Sequence, residues 1–345
     1  MNITIIMRLF SLLFFFSFQF VTVANTKVVG YLPAYKGLIE NTNPKQLQQV
    51  THLNIAFLNP DKSGMFYNKE QFTCTYTKFQ QLLSKQELIK TIQLAQQEGV
   101  LVSFSIGGAI IPQCGGDWRA LLLPNNRKLI VENIIKLVDE FNLDGIDIDL
   151  ESQLLTSIIN DGNFVSFIQD LSKGLKHRDK LLSAATGSYI GGMMPIESLP
   201  YFEYVSLMSY DAIGPTWGNA GVEHATFEQA QRDIKLWLDR GLTKEQLILG
   251  LPFYGYGFGK YKANYAYSQI VKEFGKASIK GDLIGEACPE CDYVTYNGIS
   301  TLSEKTHLAL TKGSGVMIWE LTHDNNHYPS LLKVINKQIL QHRQP

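Results

Sequence analysis

A chain of 345 residues with 45% apolar and 18% charged side chains describes an ordinary globular protein, long enough for one large domain or two smaller ones. A formal net charge of −1 leaves no electrostatic footprint for nucleic acid or for an anionic membrane. The 16 Tyr, 19 Phe and 4 Trp offer flat apolar faces to a binding groove, although most are expected to fill the core.

The N-terminus reads as an export signal. Arg8 precedes an apolar run over residues 9–23, and the small residues Thr22 and Ala24 fit cleavage after Ala24. A membrane anchor is the rival reading, because the run approaches the roughly 17-residue lower limit for a span. Gln19 within it and the strand pattern starting at Lys27 favour removal. The expectation is a mature chain of residues 25–345, secreted or periplasmic, with no membrane contact thereafter.

Eight short apolar runs follow, at 27–33, 51–58, 99–106, 143–151, 181–187, 203–210, 246–254 and 314–321. Runs such as LILGLPF and GVMIWEL are apolar on both faces, as parallel strands covered on both sides must be. Helical stretches lie between them. Ser84 with Glu87 forms a capping box opening a helix that Gly99 closes, and Thr226 with Gln229 opens another. Over residues 126–141, Leu129, Ile130, Ile134, Leu137, Val138 and Phe141 form one stripe. Eight strands alternating with helices predict a single-domain (β/α)8 barrel, with at most a small insertion between strands 7 and 8. The longest connections, 59–83 and 259–299, then fall on the C-terminal rim, where barrel chemistry occurs.

Four cysteines fit an oxidising compartment. Cys288 and Cys291 form a lone C-x-x-C; with no second ligand pair nearby, a local disulfide is expected rather than zinc. Cys74 and Cys114 lie in two loops assigned to the same rim, so a bridge between them is open.

The strongest signal is Asp144-Gly-Ile-Asp147-Ile-Asp149-Leu-Glu151 on the fourth strand. Alternation places Asp147, Asp149 and Glu151 on one face, about 6–7 Å apart, and Ile146, Ile148 and Leu150 on the other. Buried carboxylates are expensive, and the intervening aliphatics exclude a solvated acidic loop. A D-x-D metal site is a rival, but no His or further acid cluster accompanies the motif. No metal and no cofactor are expected. General acid catalysis remains: apolar walls and like charges raise one carboxyl's pKa until it can protonate a leaving oxygen.

At these residues the chain resembles family 18 glycoside hydrolases, the chitinase-type family, whose fourth strand carries D-x-x-D-x-D-x-E. Further stretches resemble the family in the expected order: GYLPAY at 30–35, THLNIAF at 51–57, SIGG at 105–108, MSYD at 208–211, PFYG at 252–255 and MIWEL at 317–321. The resemblance implies a retaining enzyme that cleaves β-1,4 bonds between N-acetylglucosamine units with help from the substrate's own acetamido group. Glu151 would be acid and base, Asp149 would hold the acetamido N–H, and Asp147 would share a proton with Asp149. Tyr210 would bond the acetamido carbonyl, and Asp211 the sugar hydroxyls. Met208 and Trp319 would line and floor the sugar pocket, with Tyr31, Phe57 and Tyr254 as further contacts and Trp217 as platform or lid. Gly107 and Gly108 would permit close backbone approach at the exit of strand 3.

Departures from the pattern are Ala109, where many members have Trp, and Tyr256, where many have Arg. The short segment between strands 7 and 8 predicts a shallow cleft. The partner implied is a polysaccharide or oligosaccharide containing N-acetylglucosamine, bound by a monomer. An endo-β-N-acetylglucosaminidase acting on N-glycans and a non-catalytic chitin-binding lectin are the alternatives.

Overall fold

The computed structural model describes residues 26–76, 82–325 and 329–343. The export segment expected at 1–24 lies outside the described residues. Eight strands form the centre: β1 (Lys27–Pro33), β2 (His52–Leu58), β3 (Leu101–Gly108), β4 (Gly145–Leu150), β5 (Leu181–Thr186), β6 (Tyr204–Leu207), β7 (Leu247–Pro252) and β8 (Gly315–Trp319). Every neighbouring pair is parallel and follows chain order, and β1 closes on β8. This is the expected (β/α)8 barrel.

Side-chain alternation sorts the apolar residues into two cores. Val29, Tyr31, Ile248 and Met317 pack inside the barrel. Their sequence neighbours Val28, Leu32, Leu249, Val316 and Ile318 pack outward beneath the helices. All six residues of β7 are therefore buried, which explains why LILGLP shows no polar face.

The helix signals act as expected, with two differences. Ser84 accepts from the Glu87 amide at 3.1 Å to start the helix Lys85–Gln97, and Gly99 ends it at φ +76°. The Glu87 carboxylate does not complete the capping box; it accepts from the Leu38 amide at 2.9 Å and ties this helix to the loop after β1. Thr226 caps Phe227–Asp239 through the Gln229 amide at 3.0 Å. In the helix Pro124–Phe141, Leu129 is exposed rather than part of the buried stripe. It lies about 100° around the helix from Ile130, whereas Ile135 on the opposite flank is covered where Gly174 leaves room for it.

Strict alternation of strand and helix fails twice. Only single turns join β1 to β2, and only a 3-10 helix, Ile196–Tyr201, joins β5 to β6. That second connection contains Gly191, Gly192, Pro195 and Pro200, which disfavour an α-helix. The long connections carry structure that alternation alone did not suggest. The connection from β2 to the following helix contains a small antiparallel sheet of Tyr67–Asn68, Gln71–Tyr76 and Leu82–Ser84. The segment after β7 folds into four antiparallel strands, in the order Asn264–Ala266, Tyr254–Gly257, Tyr293–Thr295, Leu283–Gly285, with a helix at Tyr267–Phe274. Both disulfides form, Cys74–Cys114 between the two rim loops and Cys288–Cys291 within the insertion. Among the described residues no helix is long and apolar enough to cross a membrane.

Candidate active site

The register of β4 with its neighbours builds the floor of the site. Asp147 pairs with Ser105 on β3 and Ser183 on β5, so both hydroxyls point at it from either side. They donate to its carboxylate at 2.7 and 2.6 Å, and Tyr31 donates from β1 at 2.7 Å. Burial pushes the Asp147 carboxyl up, and the three hydroxyls pull it back only partly. The three donors come from three other strands, and no hydrogen bond joins Asp147 to Asp149 in this arrangement.

Asp149 sits one alternation further out and is 3% exposed. Its Oδ1 is buried without a hydrogen-bond partner. Burial first, then the charges of Glu151 and Asp147, push its carboxyl well above the usual range. Glu151 lies just past the end of β4, yet its backbone is still extended at φ −124° and ψ 164°, so the alternation carries through. It precedes the helix Ser152–Asn160, but its carboxyl makes no capping bond there. Burial, and then repulsion from Asp211, raise it to about 7. That value lets the group both donate and accept a proton near neutral pH.

Glu151 and Asp149 share a cavity with Tyr31, Phe57, Met208, Tyr210, Asp211 and Trp319, all singled out from the sequence. Phe57 and Trp319 stack with centroids 5.4 Å apart, and Tyr31 tilts against Trp319 at 5.6 Å. The Tyr210 hydroxyl contacts the Met317 sulfur at 3.9 Å, a weak acceptor. Strand β6 ends at Leu207, before Met208 and Tyr210. They still share the cavity because Ser209 between them turns the other way, donating to Asp233 at 2.6 Å. Met317, Ala185 and Ala109 also line the cavity. Parity with Trp319 along β8 was the signal for Met317.

Four of the expected residues lie outside the cavity that holds Glu151. Gly107 and Gly108 have φ of +113° and +91° and permit close approach within the protein itself. A Cβ on Gly107 would stand 2.5 Å from the Asp149 carbonyl oxygen, and one on Gly108 would stand 2.6 Å from the Phe57 ring. Trp217 stands half-exposed on the rim, edge-on to Tyr256 at 5.4 Å, with its indole donating to the Asp211 carbonyl at 3.3 Å. Tyr254 lies behind Asp211 and donates to its Oδ1 at 2.5 Å.

Beyond Asp211 and Trp319 a second chamber adjoins the first. The insertion supplies one wall through Tyr254, Tyr256, Asn264 and Gln269; Lys36, Thr322 and His323 supply the other. The insertion is short but folded, and it walls one side of this chamber. Glu320 anchors the far wall, contacted by Lys36 Nζ at 2.6 Å and His323 Nε2 at 2.9 Å. Burial opposes its ionisation, but His323 and Lys36 outweigh that and bring the carboxyl down to about 2. Nothing in the sequence signalled this trio, whose members lie more than 280 positions apart for Lys36 and its partners. The D-x-D pair is not arranged as a chelate, since hydroxyl donors take the Asp147 oxygens. Among the described residues no group of three or more His, Cys, Asp or Glu is placed to hold a metal ion.

The barrel recurs in known proteins. A chitinase from the chitin utilization locus of Flavobacterium johnsoniae superposes with a TM-score of 0.77 at 30% identity, over 93% of this chain and 96% of the other. A chitinase from Bacteroides thetaiotaomicron gives 0.77 at 24% identity, over 93% and 99%. A class V chitinase of Arabidopsis thaliana is 24% identical over 277 residues, 69% of this chain and 73% of that protein. A chitinase-named protein of Drosophila melanogaster is 27% identical over 184 residues, 47% of this chain but only 8% of the much longer relative. The profile of the family described as Glycosyl hydrolases family 18 matches residues 27–324. With its barrel, its acidic fourth strand and this match over most of its length, the chain belongs to glycosyl hydrolase family 18.

Proposed function

We propose that this glycoside hydrolase cleaves β-1,4 bonds between N-acetylglucosamine units of chitin or chito-oligosaccharides, with retention and with assistance from the substrate's acetamido group. The observation that carries the reading is a pair of complementary, under-used polar groups beneath Glu151. Asp149 Oδ1 is a buried acceptor without a donor, and the Tyr210 hydroxyl is a buried donor with only a thioether to bond. A buried polar atom left unpaired costs about 1–3 kcal/mol. An acetamido group satisfies both at once, its N–H donating to Asp149 and its carbonyl accepting from Tyr210. Trp319 and Phe57 supply the flat apolar surface for a sugar ring.

Glu151 then gives its proton to the glycosidic oxygen as the bond from that oxygen to the anomeric carbon breaks. The acetamido carbonyl oxygen bonds to the anomeric carbon from the opposite face and forms an oxazolinium ion. Asp149 stabilises the positive charge that spreads to the nitrogen, and Tyr210 orients the carbonyl. Water next attacks the anomeric carbon and loses its proton to the Glu151 carboxylate, and the carbonyl oxygen departs. Two displacements leave the configuration retained. The adjoining chamber suits a chain rather than a lone sugar, and the relatives named chitinases support that substrate. The N-terminal apolar run and the two disulfides support export to an oxidising compartment.

Hydrolysis of a defined N-acetylglucosamine oligomer, with the product anomer followed by NMR, tests the reading. The β-anomer should form first, and Glu151→Gln should lower kcat at least about 100-fold. Full activity in that variant, or first release of the α-anomer, would refute it.

A further inference from the structure

His224 lies behind the cavity rather than in it, 0% exposed, and neither ring nitrogen has a hydrogen-bond partner. Its Nδ1 stands 3.6 Å from Asp211 Oδ1, the same oxygen that Tyr254 clamps. The ring lies against Tyr254 and Tyr256, with centroids at 5.4 and 5.2 Å. Its backbone is fixed at both ends: the amide donates to Thr295 of the insertion sheet at 3.2 Å, and the carbonyl accepts from Ala212, next to Asp211, at 3.0 Å. Asp211 needs such holding, because its backbone sits at φ +62°, a conformation that costs a non-glycine residue about 1 kcal/mol or more.

We propose that His224 is a positioning residue for the reaction: together with Tyr254 it holds the Asp211 carboxylate at the wall of the cavity that contains Glu151. The inference rests on the reading of Glu151 as the acid and base. A buried imidazole is costly unless paired, and two acceptors lie within reach of the ring, the Asp211 carboxylate and the Tyr254 backbone. Burial holds the His224 pKa down, so the ring is neutral and can donate one N–H to Asp211 from Nδ1. The charged and titratable groups facing His224 are Asp211 from the loop after β6, Tyr254 and Tyr256 from the insertion strand, and Lys305 from the helix Ile299–Lys312. Lys305 is itself buried and depressed to about 7, chiefly by burial, with Asp282, Asp233, Glu223 and Glu228 around it. Asp211 faces Tyr210, Tyr254 and Tyr256 in turn, and its charge opposes ionisation of Glu151. Releasing Asp211 from His224 lets it turn toward solvent, weakens that repulsion and makes Glu151 a stronger acid.

The test is the pH profile of kcat/KM on a chito-oligosaccharide for the wild type and for His224→Ala, His224→Asn and Glu151→Gln. His224→Ala should move the alkaline limb down by at least about 0.5 pH unit. His224→Asn, whose amide nitrogen takes the place of Nδ1, should leave the limb where it is in the wild type. If the alanine variant does not fold, His224→Gln replaces it, since its amide reaches only toward the Nε2 position and should shift the limb. An unmoved limb in the alanine or glutamine variant overturns the inference, as does an equal shift with asparagine. Activity surviving in Glu151→Gln instead overturns the assignment of the acid and leaves the geometry of His224 to be read from the other three profiles.

Discussion

Asp147, Asp149 and Glu151 stand two residues apart along one strand, and their neighbours separate their chemistry. Asp147 is surrounded by hydroxyl donors that order the floor. Asp149 Oδ1 has no donor within the protein, while Glu151 is raised to about 7 at the cavity wall. Tyr210 opposes them as a donor. Tyr210→Phe should lower kcat by about 10²–10³-fold, the range for removing one preorganised donor at a developing charge. Its melting temperature should barely change, because the hydroxyl's acceptor within the protein is a thioether. Steady-state kinetics beside a thermal melt check this; a large loss of stability with little loss of kcat would assign Tyr210 to packing. The carboxylates were legible in the sequence because alternation is a property of consecutive residues. His224 was not, because its role depends on Asp211 and on an insertion strand thirty residues downstream.

Among the elements, β4 shows local pattern and tertiary register working together. Alternation turns its carboxylates inward, and the pairing with β3 and β5 brings Ser105 and Ser183 to Asp147. Of the positive-φ glycines that end β3, Gly107 lets the strand lie close against the Asp149 backbone and Gly108 makes room for the Phe57 ring. The connections were less legible. The sheet between β2 and β3 and the insertion sheet are made of short strands of two to six residues, with too little period to declare themselves. The first of these is pinned by Cys74–Cys114, which spans 40 positions. Chain-entropy arithmetic for a loop of that size gives about 4 kcal/mol of stabilisation. Replacing both cysteines by alanine should therefore cost about 2–4 kcal/mol in urea denaturation while leaving the barrel folded. An unchanged midpoint would show that the bridge adds nothing to the packing already present.

At the scale of the whole molecule, closure of the barrel joins the first and last strands and so brings Lys36 to Glu320 and His323. Glu320 titrates near 2 in the folded chain and about 4.3 when unfolded. Its ionised form stabilises the fold fully above roughly pH 4.3, and the contribution is lost as pH falls through about 2. The contribution is on the order of 2–3 kcal/mol, discounted for the partly exposed Lys36. Glu320→Gln should thus be less stable than wild type at pH 6 and no less stable near pH 2. Denaturant titrations at several pH values measure the difference; parallel curves for the two proteins would contradict it.

The sequence by itself determined the eight strands, the inward face of β4 and the order Asp147, Asp149, Glu151 from floor to rim. Each of these follows from periodicity and burial over a few consecutive residues. Only the tertiary structure decided which groups surround those carboxylates: Tyr31 from β1 on Asp147, Asp211 with His224 and Tyr254 beside Glu151, and the folded insertion that walls the second chamber. Those contacts join residues tens to hundreds of positions apart, and closing the barrel, not any local preference, brings them within reach.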